Sequence, residues 1–202
     1  MEAIYIKTLN YLNPNYAYNE FIKCCENGNL DKIKIIVNNC IIDIHAKNEL
    51  GFLYACTNGH LNIVIYLINL YKNDNKYTIV NIHANNESGF RLACLNGHLH
   101  VVEYLINLYK INSDYDIINI HAENESGFQR ACYSGYLHII KYLINLYKTN
   151  KNYQIINIHA RMYYAFKTTH SNYFKRANMY LFSLGSYITY YTHNRFEHHI
   201  LL

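Results

Sequence analysis

Histidine, glutamate and cysteine are the residues here that could do chemistry, and all three recur at one interval. His45, His83, His121 and His159 stand 38 residues apart. Glu49, Glu87 and Glu125 keep the same interval, as do Cys56, Cys94 and Cys132. A second histidine class, His60 and His98, follows Gly59 and Gly97, with Tyr136 in the third place. Imidazoles and thiolates bind zinc, and imidazoles and carboxylates move protons, so metal and acid–base chemistry are the first readings to weigh. The interval argues against both. Ligands to one ion must converge, whereas one position on successive units lies along a line. Identical glutamates offer neither a cleft nor the opposed environments that an acid–base pair needs. They read as residues near helix N-termini, favoured there by the helix dipole. The histidines read as structural, satisfied by backbone hydrogen bonds. His193, His198 and His199 lie in the tail, and the adjacent pair diverges on a helix or a strand. The chain has no C-x-x-C pair, no phosphate-cradling glycine loop and no nucleophile motif. No catalytic residue, metal ligand or cofactor is therefore assigned.

The elements that carry these residues are copies of one unit. Asn81–Lys110 reads NIHANNESGFRLACLNGHLHVVEYLINLYK, and Asn119–Lys148 and Ile44–Lys72 repeat it closely. A fixed period of this size marks a stacked array. Within the unit, a first short helix is expected near Ser88–Asn96. Gly97 ends it, because glycine accepts the left-handed conformation that closes a helix. A second helix then runs from about His98 to Tyr109. Its apolar residues cover more than one stripe, as a helix packed between two neighbours requires. The polar stretches Lys72–Tyr77, Lys110–Tyr115 and Lys148–Tyr153 are expected to be surface loops. The organisation reads as a lead-in over 1–18, a divergent first unit over 19–43, full units over 44–81, 82–119 and 120–157, a degenerate unit serving as a C-terminal cap over 158–189, and a tail over 190–202. Terminal units are atypical because one of their faces meets water.

Ala93, Cys94, Asn96, Gly97, His98, Leu99, Val101, Val102, Tyr104 and Leu105 resemble the helix–turn–helix heart of an ankyrin repeat. Ser88-Gly89-Phe90-Arg91 falls where that family usually writes Thr-Pro-Leu-His, and the period exceeds the common 33 residues by five. The wording IHA-x-NE-x-GF-x-x-AC is similar to the ankyrin families of giant, mimivirus-like DNA viruses that infect amoebae. The resemblance implies an all-α ankyrin-repeat solenoid, its helix–turn–helix units stacked behind short β-hairpin fingers. It also implies a non-enzymatic module that binds a partner protein through a concave face, and, for a viral chain, a host protein in the host cytoplasm. Viral members often add a C-terminal F-box-like segment that recruits a ubiquitin ligase. Residues 185–202 show none, which weakens a substrate-adaptor role.

Composition narrows the remaining classes. Half of the 202 residues are apolar, enough for a core, and the net charge of +4 comes without a basic block that would argue for nucleic acid. The start, MEAIYIKTLN, lacks the basic and apolar regions of a signal peptide, and no apolar run is long enough to span a membrane. The six cysteines read as reduced thiols of an intracellular protein. The expected partner is thus a protein, with no nucleic acid and no membrane, and the chain is read as a monomer. Positions constant between units are tied to the fold; those that differ are free to serve a partner. The latter are Lys47, Asn85 and Glu123, then Leu50, Ser88 and Ser126 in the fingers. On the first helices they are Leu53, Arg91 and Gln129; Tyr54, Leu92 and Arg130; and Thr57, Leu95 and Tyr133. These are the candidate partner-binding residues. The rival reading is a structural or vestigial product of duplication with no specific partner.

Overall fold

The computed structural model describes residues 1–13, 15–157, 179–181, 183, 190–192 and 195–197. His159, His193, His198, His199 and most of the expected cap and tail lie outside them. Helices dominate: α1 Glu2–Leu12, α2 Tyr16–Asn27, α3 Leu30–Asn39, α4 Ala46–Thr57, α5 Leu61–Asn73, α6 Ala84–Leu95, α7 Leu99–Ile111, α8 Ala122–Ser134 and α9 Leu137–Thr149. A short antiparallel pair, β1 Tyr190–Thr192 and β2 Arg195–Glu197, follows.

Helices α2/α3, α4/α5, α6/α7 and α8/α9 are the helix–turn–helix units. Their first helices stack in one layer (α2 on α4, α4 on α6, α6 on α8), while α5, α7 and α9 form the second. The fold is an all-α ankyrin-repeat solenoid. Its core is a set of rows. Phe21, Phe52, Phe90 and Phe128 are buried at one position of the four first helices, and Cys25, Cys56, Cys94 and Cys132 are buried beside them. The rings of Phe21, Phe52 and Phe90 each lie on a glycine of the next unit, Gly51, Gly89 and Gly127. A Cβ on Gly89 would sit 2.8 Å from Phe52 Cε1, so the stacking distance itself demands glycine there. Helix α1 covers the open end of the first unit, where Ile6 is fully buried against α2 and α3. At the other end Leu181 joins the same core.

The turn inside each unit forms as expected. Gly97 takes φ +83, and Tyr136 of the next unit lies where its Cβ would be, with Tyr136 Cε1 at 2.6 Å. Glycine is thus required twice, by conformation and by the ring stacked on it. On the same edge of the array, His60 Nε2 meets the carbonyl of Glu26 at 2.9 Å and His98 Nε2 that of Thr57 at 2.9 Å. This class of histidine does join units through the backbone.

Two local expectations are corrected. The fingers contain no strand. Lys47-Asn48-Glu49, Asn85-Asn86-Glu87 and Glu123-Asn124-Glu125 each form one left-handed turn, with φ between 52 and 65, and the right-handed helix begins only after them. Left-handed backbone costs roughly 1–2 kcal/mol per residue outside glycine, so tertiary bonds must hold it, and those bonds centre on the glutamate. The loops after α5, α7 and α9 are the second correction. Tyr77, Tyr115 and Tyr153 dip inward, each about 6% exposed. Their hydroxyls donate to the carbonyls of Val37, Ile68 and Ile106 in the preceding unit, at 3.2, 3.0 and 3.0 Å. The residues that lengthen the period are therefore a strap between units.

Candidate protein-binding face

The glutamate of each left-handed turn lies in the first turn of its helix, as the sequence suggested, and is buried there. Glu49, Glu87 and Glu125 are each 5% exposed. In all three, Oε1 lies 2.8 Å from Nδ1 of the histidine four residues earlier. The same oxygen accepts the backbone N–H of Asn81, Asn119 or Asn157 at the junction with the next unit, at 2.9, 3.1 and 3.2 Å. One carboxylate thus fixes its own turn and docks the following unit. His45, His83 and His121 are paired with carboxylates where backbone partners were expected. In the first unit Tyr18 stands at this position, its hydroxyl reaching the carbonyl of Ala46 at 3.4 Å.

These turns and the open sides of α4, α6 and α8 present the positions that differ between units. Lys47, Asn85, Glu123 and Tyr133 are exposed; Leu50, Tyr54, Thr57, Arg91, Leu92, Leu95, Gln129 and Arg130 are half-buried. Leu53 is a correction: it is 8% exposed and belongs to the core. Several of the others already have partners. Arg91 donates from Nε and Nη2 to the carbonyls of Asn86 and Asn85, both at 2.8 Å. Gln129 donates to the carbonyl of Asn124 in the same way. Both side chains therefore close the left-handed turn. Thr57 donates to Leu53 O at 2.7 Å, and Arg130 Nε to Ser126 Oγ at 3.1 Å. Lys47 Nζ lies 5.7 Å over the Tyr18 ring. That leaves Leu50, Tyr54, Leu92, Leu95 and Tyr133 as the apolar surface of the face.

Two clefts open where a turn meets the unit before it. The first, about 460 Å³, is lined by Tyr18, Asn19, Ile41, Asp43, Ala46 and Lys47, among others. The second, about 380 Å³, lies between His83, Asn86 and Glu87 on one side and Asn119, Ala122 and Glu123 on the other. Asn86 donates to Glu123 Oε1 at 2.6 Å across it. Asn86 was missed as a site residue because Asn48, Asn86 and Asn124 never vary. Their invariance serves the backbone, since asparagine tolerates φ near 56, yet Asn86 itself is exposed.

Burial pushes the thiols of Cys25, Cys56, Cys94 and Cys132 upward, so none is a thiolate at neutral pH. All six cysteines are free. Among the described residues no three histidine, cysteine, aspartate or glutamate side chains converge as metal ligands. Nor is any described helix long and apolar enough to cross a membrane.

Stacked helix pairs and glycine-closed turns give the described units an ankyrin-repeat fold. The family model for ankyrin repeats (three copies) matches residues 21–112, so this stretch carries ankyrin repeats. The unit over α8 and α9 lies past that match and keeps the same geometry. No curated protein and no solved structure matches the chain significantly. Ankyrin repeats are in general protein–protein interaction modules, and the family is typically non-enzymatic.

Proposed function

We propose that this chain binds a partner protein through the concave face built from its left-handed turns and first helices, without catalysis. One observation carries the reading. The side chains that change from unit to unit on this face include Tyr54, Leu92, Leu95 and Tyr133, which stay half-buried to exposed. The opposite helices also vary, at Ile65, Glu103 and Lys141 and at Asn73, Ile111 and Thr149, but place no aromatic side chain at these positions. Aromatic and apolar anchors, with an arginine such as Arg130 beside them, are what an interface uses. Residues 158–189 act in this reading as the C-terminal cap, consistent with the burial of Leu181. The viral affiliation has no matching relative behind it, and the proposal does not depend on a host partner.

A pull-down with the full chain tests the reading. The triple variant Tyr54→Ala, Leu95→Ala, Tyr133→Ala should lose a specific band that the opposite-side variant Lys110→Ala retains. Arg91 is left intact because its loss would open the turn. Absence of any specific band with the unaltered chain would favour the vestigial reading.

A further inference from the structure

The second cleft has an acid surplus that the two preceding junctions lack. Glu87 and Glu123 both line it. Glu87 is 5% exposed, and its Oε2 has no hydrogen-bond partner, a property it shares with Glu49 and Glu125. His83 Nε2 is likewise buried without a partner. Asp116 acts electrostatically on the same imidazole. The preceding junction is built otherwise: Thr78 Oγ1 meets His45 Nε2 at 3.1 Å, and Asn85 stands where Glu123 does. The first cleft is different again, with Tyr18 in place of Glu87 and Lys47 in place of Glu123. Arg91, on the turn that carries Glu87, has its guanidinium occupied by the carbonyls of Asn85 and Asn86. Among its lining residues the second cleft thus offers several acceptors and, apart from the imidazole of His83, no side chain that becomes a cation.

We propose that this cleft takes the guanidinium of an arginine side chain on the protein partner. Two carboxylates, an imidazole nitrogen and an asparagine amide around one small space suit a planar cation with five donors better than an ammonium, which is a compact point charge. A buried acceptor left unpaired is costly, and a bound donor near Glu87 relieves that cost. The proposal rests on the protein-binding reading above and assigns one anchor within it.

The probe is N-acetyl-arginine amide, whose only charge is the guanidinium, titrated into the 15N-labelled full chain. Saturable shifts are expected at the amides of Asn86, Asn119 and Glu123. N-acetyl-citrulline amide, the uncharged isostere, should give none. Glu123→Gln should weaken the arginine response by about three- to fivefold, the size of a partly exposed ion pair. Because Glu123 is exposed, this variant should keep the melting temperature of the unaltered chain, and Asp116→Asn offers a second exposed substitution with the same expected direction. Absence of saturable shifts, an equal response to citrulline, an equal response to N-acetyl-lysine amide, or indifference to Glu123→Gln would each overturn the assignment. The double variant Tyr54→Ala, Tyr133→Ala should leave the arginine response intact. A failed arginine titration therefore does not decide the wider binding face, and a failed pull-down does not decide the cleft.

Discussion

His83 and His98 sit one turn of the unit apart in role and respond to protons in opposite senses. The hydrogen bond to Glu87 raises the His83 pKa above the ordinary 6.5, against burial, with Glu87 and Asp116 adding electrostatically in the same direction. Burial lowers that of His98, against its bond to the Thr57 carbonyl. A folded-state pKa above the unfolded value means that protonated His83 stabilises the fold fully below pH 6.5, and that this contribution fades as pH rises through the folded value. For His98 the contribution is present above 6.5 and is lost as pH falls toward its lowered value. Ring titration by NMR should place His83 above a free imidazole and His98 below it. In Glu87→Gln the His83 value should fall, because the main raising cause is gone and burial remains. The same variant should lose more stability at pH 6 than at pH 8, read as the shift in urea midpoint. An unchanged His83 titration would show that the buried carboxylate is not its partner in solution.

At the scale of the element, the units over 44–81, 82–119 and 120–157 are joined to one another by three devices: the ring-on-glycine contact, the glutamate latch and the tyrosine strap. Tyr115→Phe removes one buried hydroxyl donor to Ile68 and keeps the ring. It should cost about 0.5–1.5 kcal/mol in chemical denaturation. Gly89→Ala leaves the backbone unstrained but puts a methyl group 2.8 Å from Phe52 Cε1, and should cost about 1–3 kcal/mol through overpacking. A neutral result at Gly89 would mean that the units stand further apart than described. How much of this was legible follows from where the information lies. The helix pairs and the Gly97 turn were readable because the periodicity of apolar residues and the tolerance of glycine for positive φ are local properties. The left-handed turns were not. Lys47-Asn48-Glu49 has no strong preference for that conformation, which exists because Glu49 reaches both His45 and the Asn81 amide. Likewise the stretch Lys110–Tyr115 is polar in sequence, and only the position of Ile68 in space reveals that Tyr115 turns inward. Of the candidate site, the positions that vary were readable by aligning the units. That Leu53 faces the core and that Arg91 and Gln129 serve the turn depends on a backbone the alignment could not supply.

Across the whole molecule the same contacts repeat, and stability should behave as a sum over units and their interfaces. Removing residues 82–119 tests this most directly. The cut joins Asn81 to Ile120, which restores the natural order of residues at the junction. Phe52 then meets Gly127 where it met Gly89, Glu49 still receives the Asn81 amide, and Tyr153 finds the Ile68 carbonyl that Tyr115 had held. Each of these three partners is replaced by its counterpart from the next unit, so the shortened chain should fold with helical content per residue close to that of the full chain. It should unfold in one transition at a lower urea concentration. Its m-value should be smaller by about one fifth, in proportion to the surface no longer buried. An unfolded product, or two separate transitions, would mean that the units are not interchangeable and that the ends stabilise the middle by contacts of another kind.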